Sequence, residues 1–166
     1  PVAHLAWSRD GKLLALIVRK GGAAQATGNT LYVMDAGSGA LRQLASIGSG
    51  SIDSAEWSPD GRYLSYAQKD VQGKTTLQVI AVSGQQEQFS IEMQRQLQGW
   101  SWSPDSRGLV YSDGGTLKTH ILHGEAIRFP SMQGSQQYPF WLSDGRIIFL
   151  QVTGGRSTLA TLTPGK

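Results

Sequence analysis

The chain has 166 residues, of which 39% are hydrophobic, 16% are charged and 21 are glycine. Its net charge of +3 comes from 15 basic residues with no run beyond Arg19-Lys20, so the pI near 9.4 describes a mildly basic solvated surface rather than a nucleic-acid footprint. Cysteine is absent, which excludes disulfides, thiolate nucleophiles and sulfur-ligated metals together, and no stretch approaches the roughly 18 to 20 apolar residues that a membrane helix needs.

The elements predicted in chain order follow one pattern four times. A strand over residues 2–7 runs into Trp7-Ser8-Arg9-Asp10-Gly11-Lys12, and strand-like runs follow at 13–18, 31–35 and 41–45. Residues 52–57 lead into Trp57-Ser58-Pro59-Asp60-Gly61-Arg62, then runs at 63–67, 77–82 and 87–91. Residues 97–102 lead into Trp102-Ser103-Pro104-Asp105-Ser106-Arg107, then 109–112, 117–122 and 126–129. Residues 137–141 lead into the weaker copy Trp141-Leu142-Ser143-Asp144-Gly145-Arg146, then 147–152 and 158–162. No segment keeps a helical period, and residues 92–98 read as no more than a short turn.

The tryptophans stand 50, 45 and 39 residues apart, the length of one four-stranded propeller blade and too long for leucine-rich or ankyrin units. The six-residue motif explains itself as a hairpin corner. Pro presets the first corner of a type I turn, Asp caps it, and Gly accepts the positive φ that follows. Arg9 in place of Pro and Ser106 in place of Gly predict two less favourable turns. Each Trp is expected to pack between neighbouring blades. The fold class is therefore all-β: a single propeller domain over residues 1–166, with blades at about 1–48, 49–93, 94–133 and 134–166.

The fourth blade counts three strands before the chain stops, and no strand precedes blade one to complete it. Closed propellers avoid such open edges. The sequence favours a segment of a longer propeller, or a half-ring completed by another chain as a homodimer, over a closed four-bladed ring. The start at Pro1 without an initiator Met reads as a processed or excised piece.

On the Trp-Ser-Pro-Asp-Gly motif, and on Leu31-Tyr32-Val33-Met34-Asp35-Ala36-Gly37 followed by Leu41-Arg42-Gln43-Leu44, the sequence resembles the TolB-like, WD-repeat-like propeller repeats of bacteria. Blade four departs most, with Leu142-Ser143 where Ser-Pro is usual. The resemblance implies a propeller of one of three kinds. These are the C-terminal sensory region of a CadC-type winged-helix regulator, a TolB-like periplasmic scaffold of the Tol–Pal system, and the substrate gate of a prolyl-oligopeptidase-like serine peptidase. A location on the periplasmic or extracytoplasmic side of a bacterial envelope, with the cytoplasm as the alternative, rests on the same resemblance.

Catalytic signatures are missing. There is no G-x-S-x-G, no G-x-x-x-x-G-K-S/T and no G-x-G-x-x-G. His120 and His123 have an H-x-x-H spacing, but on a strand an odd separation sends them to opposite faces, and a zinc site wants about four ligands. Asp10, Asp60, Asp105 and Asp144 could line a cation site, yet each is already accounted for at its turn corner. No catalytic residue, metal or cofactor is expected, and the chain reads as a non-enzymatic module for a protein or peptide partner, without nucleic-acid contact or membrane insertion by this segment. Trp100, which alternates with Trp102, is the best single partner-contact candidate, although packing in the core or the central channel is the favoured role for its ring. Gln96, Gln98, Gln136 and Tyr138 join it, drawn from the Gln-rich stretches at Gln85-Gln86, 94–98 and Gln136-Gln137, whose uncharged donors and acceptors suit a polar binding rim and equally suit plain solvated loops.

Overall fold

The structure is a computed structural model describing residues 1–19, 29–83 and 88–164. Every described element is a strand: β1 (Val2–Trp7), β2 (Leu13–Arg19), β3 (Asn29–Asp35), β4 (Leu41–Ser46), β5 (Ser51–Trp57), β6 (Tyr63–Lys69), β7 (Thr75–Ala81), β8 (Gln88–Glu92), β9 (Leu97–Trp102), β10 (Gly108–Asp113), β11 (Thr116–Ile121), β12 (Ser135–Trp141), β13 (Ile147–Thr153) and β14 (Arg156–Leu162). They form four antiparallel meanders, β1-β2-β3-β4, β5-β6-β7-β8, β9-β10-β11 and β12-β13-β14. The chain divides into two compact units, Pro1–Glu92 and Met93–Lys166, with two sheets in each. Lys20, the Gln85-Gln86 loop and the first residue of the run expected at 87–91 lie outside the described residues.

The predicted fourth strand at 126–129 does not form, so the third sheet has three strands, as the last one does. The run is only four residues long and ends at Pro130, which has no N–H to give a ladder. The Thr119 hydroxyl, moreover, donates to the Ile127 carbonyl at 2.8 Å, placing a side-chain bond where a backbone pair would stand. Phe129 and Met132 instead pack on the core of unit 2, covering apolar surface without extending the sheet. The turn expected at 92–98 shrinks to residues 93–96, because β9 begins at Leu97.

The repeated corners show what the motif is for. Ser8 donates its N–H to the Leu13 carbonyl at 2.9 Å. Its hydroxyl accepts the Leu13 N–H at 2.9 Å and donates to Asp10 Oδ1 at 2.7 Å. Asp10 in turn accepts the Lys12 N–H at 3.1 Å. Ser58 with Asp60 and Ser103 with Asp105 repeat the arrangement, with hydroxyl–carboxylate distances of 2.7 and 2.6 Å. The Ser8 hydroxyl and the Lys12 N–H hold Asp10 below the usual carboxylate range. Ser106 adopts φ +63°, a left-handed value that an L side chain tolerates at a cost. In the fourth copy Leu142 has no hydroxyl, and the hairpin closes one residue sooner. Trp141 lies opposite Ile147, where Trp7 lies opposite Leu14, and Leu142 donates its N–H to the Arg146 carbonyl at 2.7 Å.

Within each unit the first strand of the second sheet lies across the preceding sheet: β5 against β1, β2 and β3, and β12 against β9, β10 and β11. In unit 1 this encloses Ile17, Leu31, Val33, Ile52, Leu64 and Tyr66, with Trp57 packed at the edge. In unit 2 it encloses Val110, Leu117, Ile147 and Phe149, with Trp141 at the edge. Each fully buried side chain of this size stabilises by roughly 1.5–3 kcal/mol. The expectation that every motif Trp packs between blades fails at Trp7. Trp57 does so, donating Nε1–H to the Ala6 carbonyl at 2.8 Å, but Trp7 is 57% exposed together with Val2 and Leu5 on the same strand. Its motif differs from that of Trp57 by Arg9 for Pro and Lys12 for Arg, and its ring stays at the surface of unit 1.

Candidate functional site

The five residues singled out from the sequence converge on two adjacent first strands of unit 2. Gln98 and Trp100 lie on β9, Gln96 immediately before it, and Gln136 and Tyr138 on β12. Their exposure separates them. Trp100 is buried opposite Tyr111, and Trp102 is buried with it on the same strand. Gln136 is also buried, its amide donating to the carbonyls of Gln133 at 3.2 Å and Gly134 at 2.9 Å, so it fastens a loop rather than lining a rim. Gln96 is exposed, and its carbonyl accepts the Gly114 N–H at 2.8 Å. Gln98 is half-buried, and its Oε1 is enclosed without a hydrogen-bond partner among the described residues.

Tyr138 is the member that faces solvent, at 65% exposure. It sits where the β12–β13 register slips between Gln137 and Phe140, and its φ is +50°. Such a backbone is rare for a bulky residue and costs about 1–3 kcal/mol. A close strand contact stands beside it. Gly99 on β9, at φ +94°, approaches so tightly that a Cβ there would stand 3.1 Å from the Tyr138 Cα. Side-chain hydroxyls hold the two strands in place: Ser101 Oγ accepts the Trp141 N–H at 3.2 Å, and Ser112 donates to the Gln136 carbonyl. Sequence reasoning singled out Tyr138 from its neighbouring glutamines; Gly99, which shapes the approach, carried no motif.

The remaining candidates are structural in placement. His120 lies on β11 opposite Leu109, and burial lowers its pKa. His123 is exposed beyond the end of that strand. Among the described residues no three of His, Asp and Glu gather as a metal site. Glu56 on β5 keeps access to solvent yet is crowded by neighbouring atoms, and the loss of surrounding water pushes its carboxyl up to about 7.

Short antiparallel meanders, docked in pairs within each unit by the first strand of the second and headed in three of the four by a Trp-Ser-x-Asp corner, are blades of a β-propeller. Solved structures carry the comparison further. TolB from Acinetobacter baumannii superposes with a TM-score of 0.66 at 17% identity, over 99% of this chain and 44% of that one. The β-propeller domain of the Trilobed protease from Pyrococcus furiosus gives a TM-score of 0.72 at 14% identity, over 99% and 55%. A prolyl endopeptidase gives 0.66 at 19% identity, over 99% and 30%. At these identities the likeness shows the fold, which is that of TolB-like propeller repeats, and the chain spans about half or less of each neighbour's length. No family model and no curated protein matches the sequence. No helix among the described residues is long and apolar enough to cross a membrane.

Proposed function

We propose that the chain is a non-catalytic binding module that recognises a protein or peptide on the extracytoplasmic side of a bacterial envelope. The observation that carries this reading is Tyr138. An exposed aromatic ring is held on a strained backbone at a bulge, beside the half-buried Gln98 amide with its enclosed oxygen. Strain of this kind is retained where the surroundings fix a residue for a purpose other than stability, and exposed tyrosines are favoured anchors at interfaces. The envelope location draws on the likeness to TolB. The finer form of the proposal, the sensory region of a membrane-anchored CadC-type regulator, draws on the repeat resemblance. Reading the flanking coding sequence tests it: a winged helix and a membrane span encoded upstream are the expected result. A TolB-like scaffold is the form left if both are missing.

The test is site-specific photo-cross-linking in envelope extracts, with the photoreactive residue placed at 138 or at Val71, which is exposed on unit 1. A discrete adduct from position 138 and none from position 71 is the expected result. Equal labelling from both positions, or none from 138, overturns the reading. Two further forms have their own support. The propeller of the prolyl endopeptidase favours a substrate gate, which requires an α/β-hydrolase encoded beside this segment. The bare Trp7 face favours a homodimer that completes a larger propeller, and sedimentation showing only monomer at high concentration removes that form.

A further inference from the structure

A second feature of unit 2 is lined by residues other than Tyr138. Gln94, Arg95, Asp113, Thr116 and Lys118 surround an open depression of about 310 Å³, at the small end of the range of roughly 300–1,000 Å³ typical of ligand sites. At its base is Asp113, whose side chain is only 2% exposed. Its oxygens accept the N–H of Arg95 at 2.7 Å, the N–H of Gln94 at 3.2 Å and the Lys118 ammonium at 2.6 Å. Burial raises the Asp113 carboxyl, but these three donors outweigh it and leave the group below the usual carboxylate range. Asp113 is thus a fixed negative charge whose accepting capacity is largely taken.

What the walls still offer is donors. Lys118 keeps two ammonium hydrogens beyond the one directed at Asp113, and its side chain is 41% exposed. Among the described residues no group takes the Arg95 guanidinium. Its stem lies across the β10–β11 turn at Gly114, so close that a Cβ on Gly114 would overlap it. Thr116 adds a hydroxyl and Gln94 an amide. Two cations against one compensated carboxylate leave a net charge of +1 in a depression rich in N–H donors. That is the complement of an acceptor-rich anion, and the planar guanidinium fork matches a carboxylate in shape.

We propose that this depression binds a carboxylate of an acidic peptide, with Arg95 and Lys118 as its two ligating side chains. The site is independent of the Tyr138 reading, because it shares no residue with it. The test titrates the whole chain with a fluorescent Asp/Glu-rich hexapeptide, with its Asn/Gln counterpart, and with inorganic phosphate as competitor. The acidic peptide is expected to bind and the neutral one to bind at least 10-fold more weakly. Arg95→Gln and Lys118→Gln are each expected to weaken the acidic peptide about 10-fold, and Arg156→Gln on β14 to leave it unchanged. Lys118→Gln is read beside its thermal midpoint, while Arg95→Gln removes a surface side chain and leaves the two backbone donors to Asp113 in place. Equal binding of the neutral peptide, an equal loss with Arg156→Gln, or no loss with Arg95→Gln overturns the proposal. Phosphate displacing the peptide at concentrations equal to or below the peptide's own overturns it as well, since the depression would then be a general anion site.

Discussion

The two units hold the same number of sheets but join them differently. In unit 1 the second sheet is seated on the first by an apolar cluster around Ile17, Leu31, Ile52 and Tyr66, with Trp57 reaching over to the Ala6 carbonyl at 2.8 Å. In unit 2 the buried cluster is smaller. To that cluster are added the Ser101 and Ser112 hydroxyls and the approach of Gly99 to the Tyr138 backbone. A side-chain cluster can repack around a volume-conserving change, whereas a backbone pressed against a backbone leaves no room for an added Cβ. The strained and exposed tyrosine belongs to the second kind of joint, which is also where the candidate binding residues gather.

Substitutions separate the two kinds of joint by size of effect. Trp57→Ala removes cluster packing and the bond to Ala6 together, and is expected to cost about 3 kcal/mol in equilibrium denaturation. Trp7→Ala, at the same place in the same motif, is expected to cost less than about 1 kcal/mol. Equal losses would mean that the Trp contributes through its own hairpin rather than through the neighbouring sheet. Gly99→Ala places a Cβ 3.1 Å from the Tyr138 Cα on a backbone of φ +94°, and a loss of about 2–3 kcal/mol is expected. A neutral result there would show that β9 and β12 can move apart freely.

A smaller effect concerns Glu56. The unfolded carboxyl titrates near 4.5 and the folded one near 7, so the folded state holds this proton more tightly. Stability therefore falls as pH rises from 4.5 towards 7 and stays lowered above that range. Glu56→Gln should gain on the natural chain at about pH 8 and show no gain below about pH 4.5, when thermal midpoints are compared. The solvent access of the side chain keeps the gain modest. Equal midpoints at both pH values would show that the carboxyl is not held in the surroundings described.

The sequence carried the hairpin corners plainly, because a type I turn leaves a chemical record in Pro59, Asp60 and Gly61. The shared serine hydroxyl at positions 8, 58 and 103 was present in the same record, and its bonds to the following strand and to the Asp emerge only from coordinates. Other features left no such record. The run at 126–129 looks like an outer strand until Thr119 and Pro130 are set beside it. The exposure of Trp7 depends on what packs against it, which a motif of the same form cannot say. Gln136 reads as a rim residue yet is buried, its amide taken by the Gln133 and Gly134 carbonyls. Tyr138 takes up a left-handed backbone that sequence habits reserve for glycine, and the depression at Arg95 and Lys118 assembles from two segments that no motif links.

The most direct test of the account is the denaturation midpoint of Tyr138→Gly. If the tyrosine is kept in place for recognition, the glycine variant relieves the left-handed backbone and gives up only an exposed ring. Its stability then stays within about 0.5 kcal/mol of the natural chain or rises above it. A loss of more than about 1.5 kcal/mol would make Tyr138 a structural residue, seated on Gly99 for the sake of the fold, and would remove the observation on which the binding assignment stands.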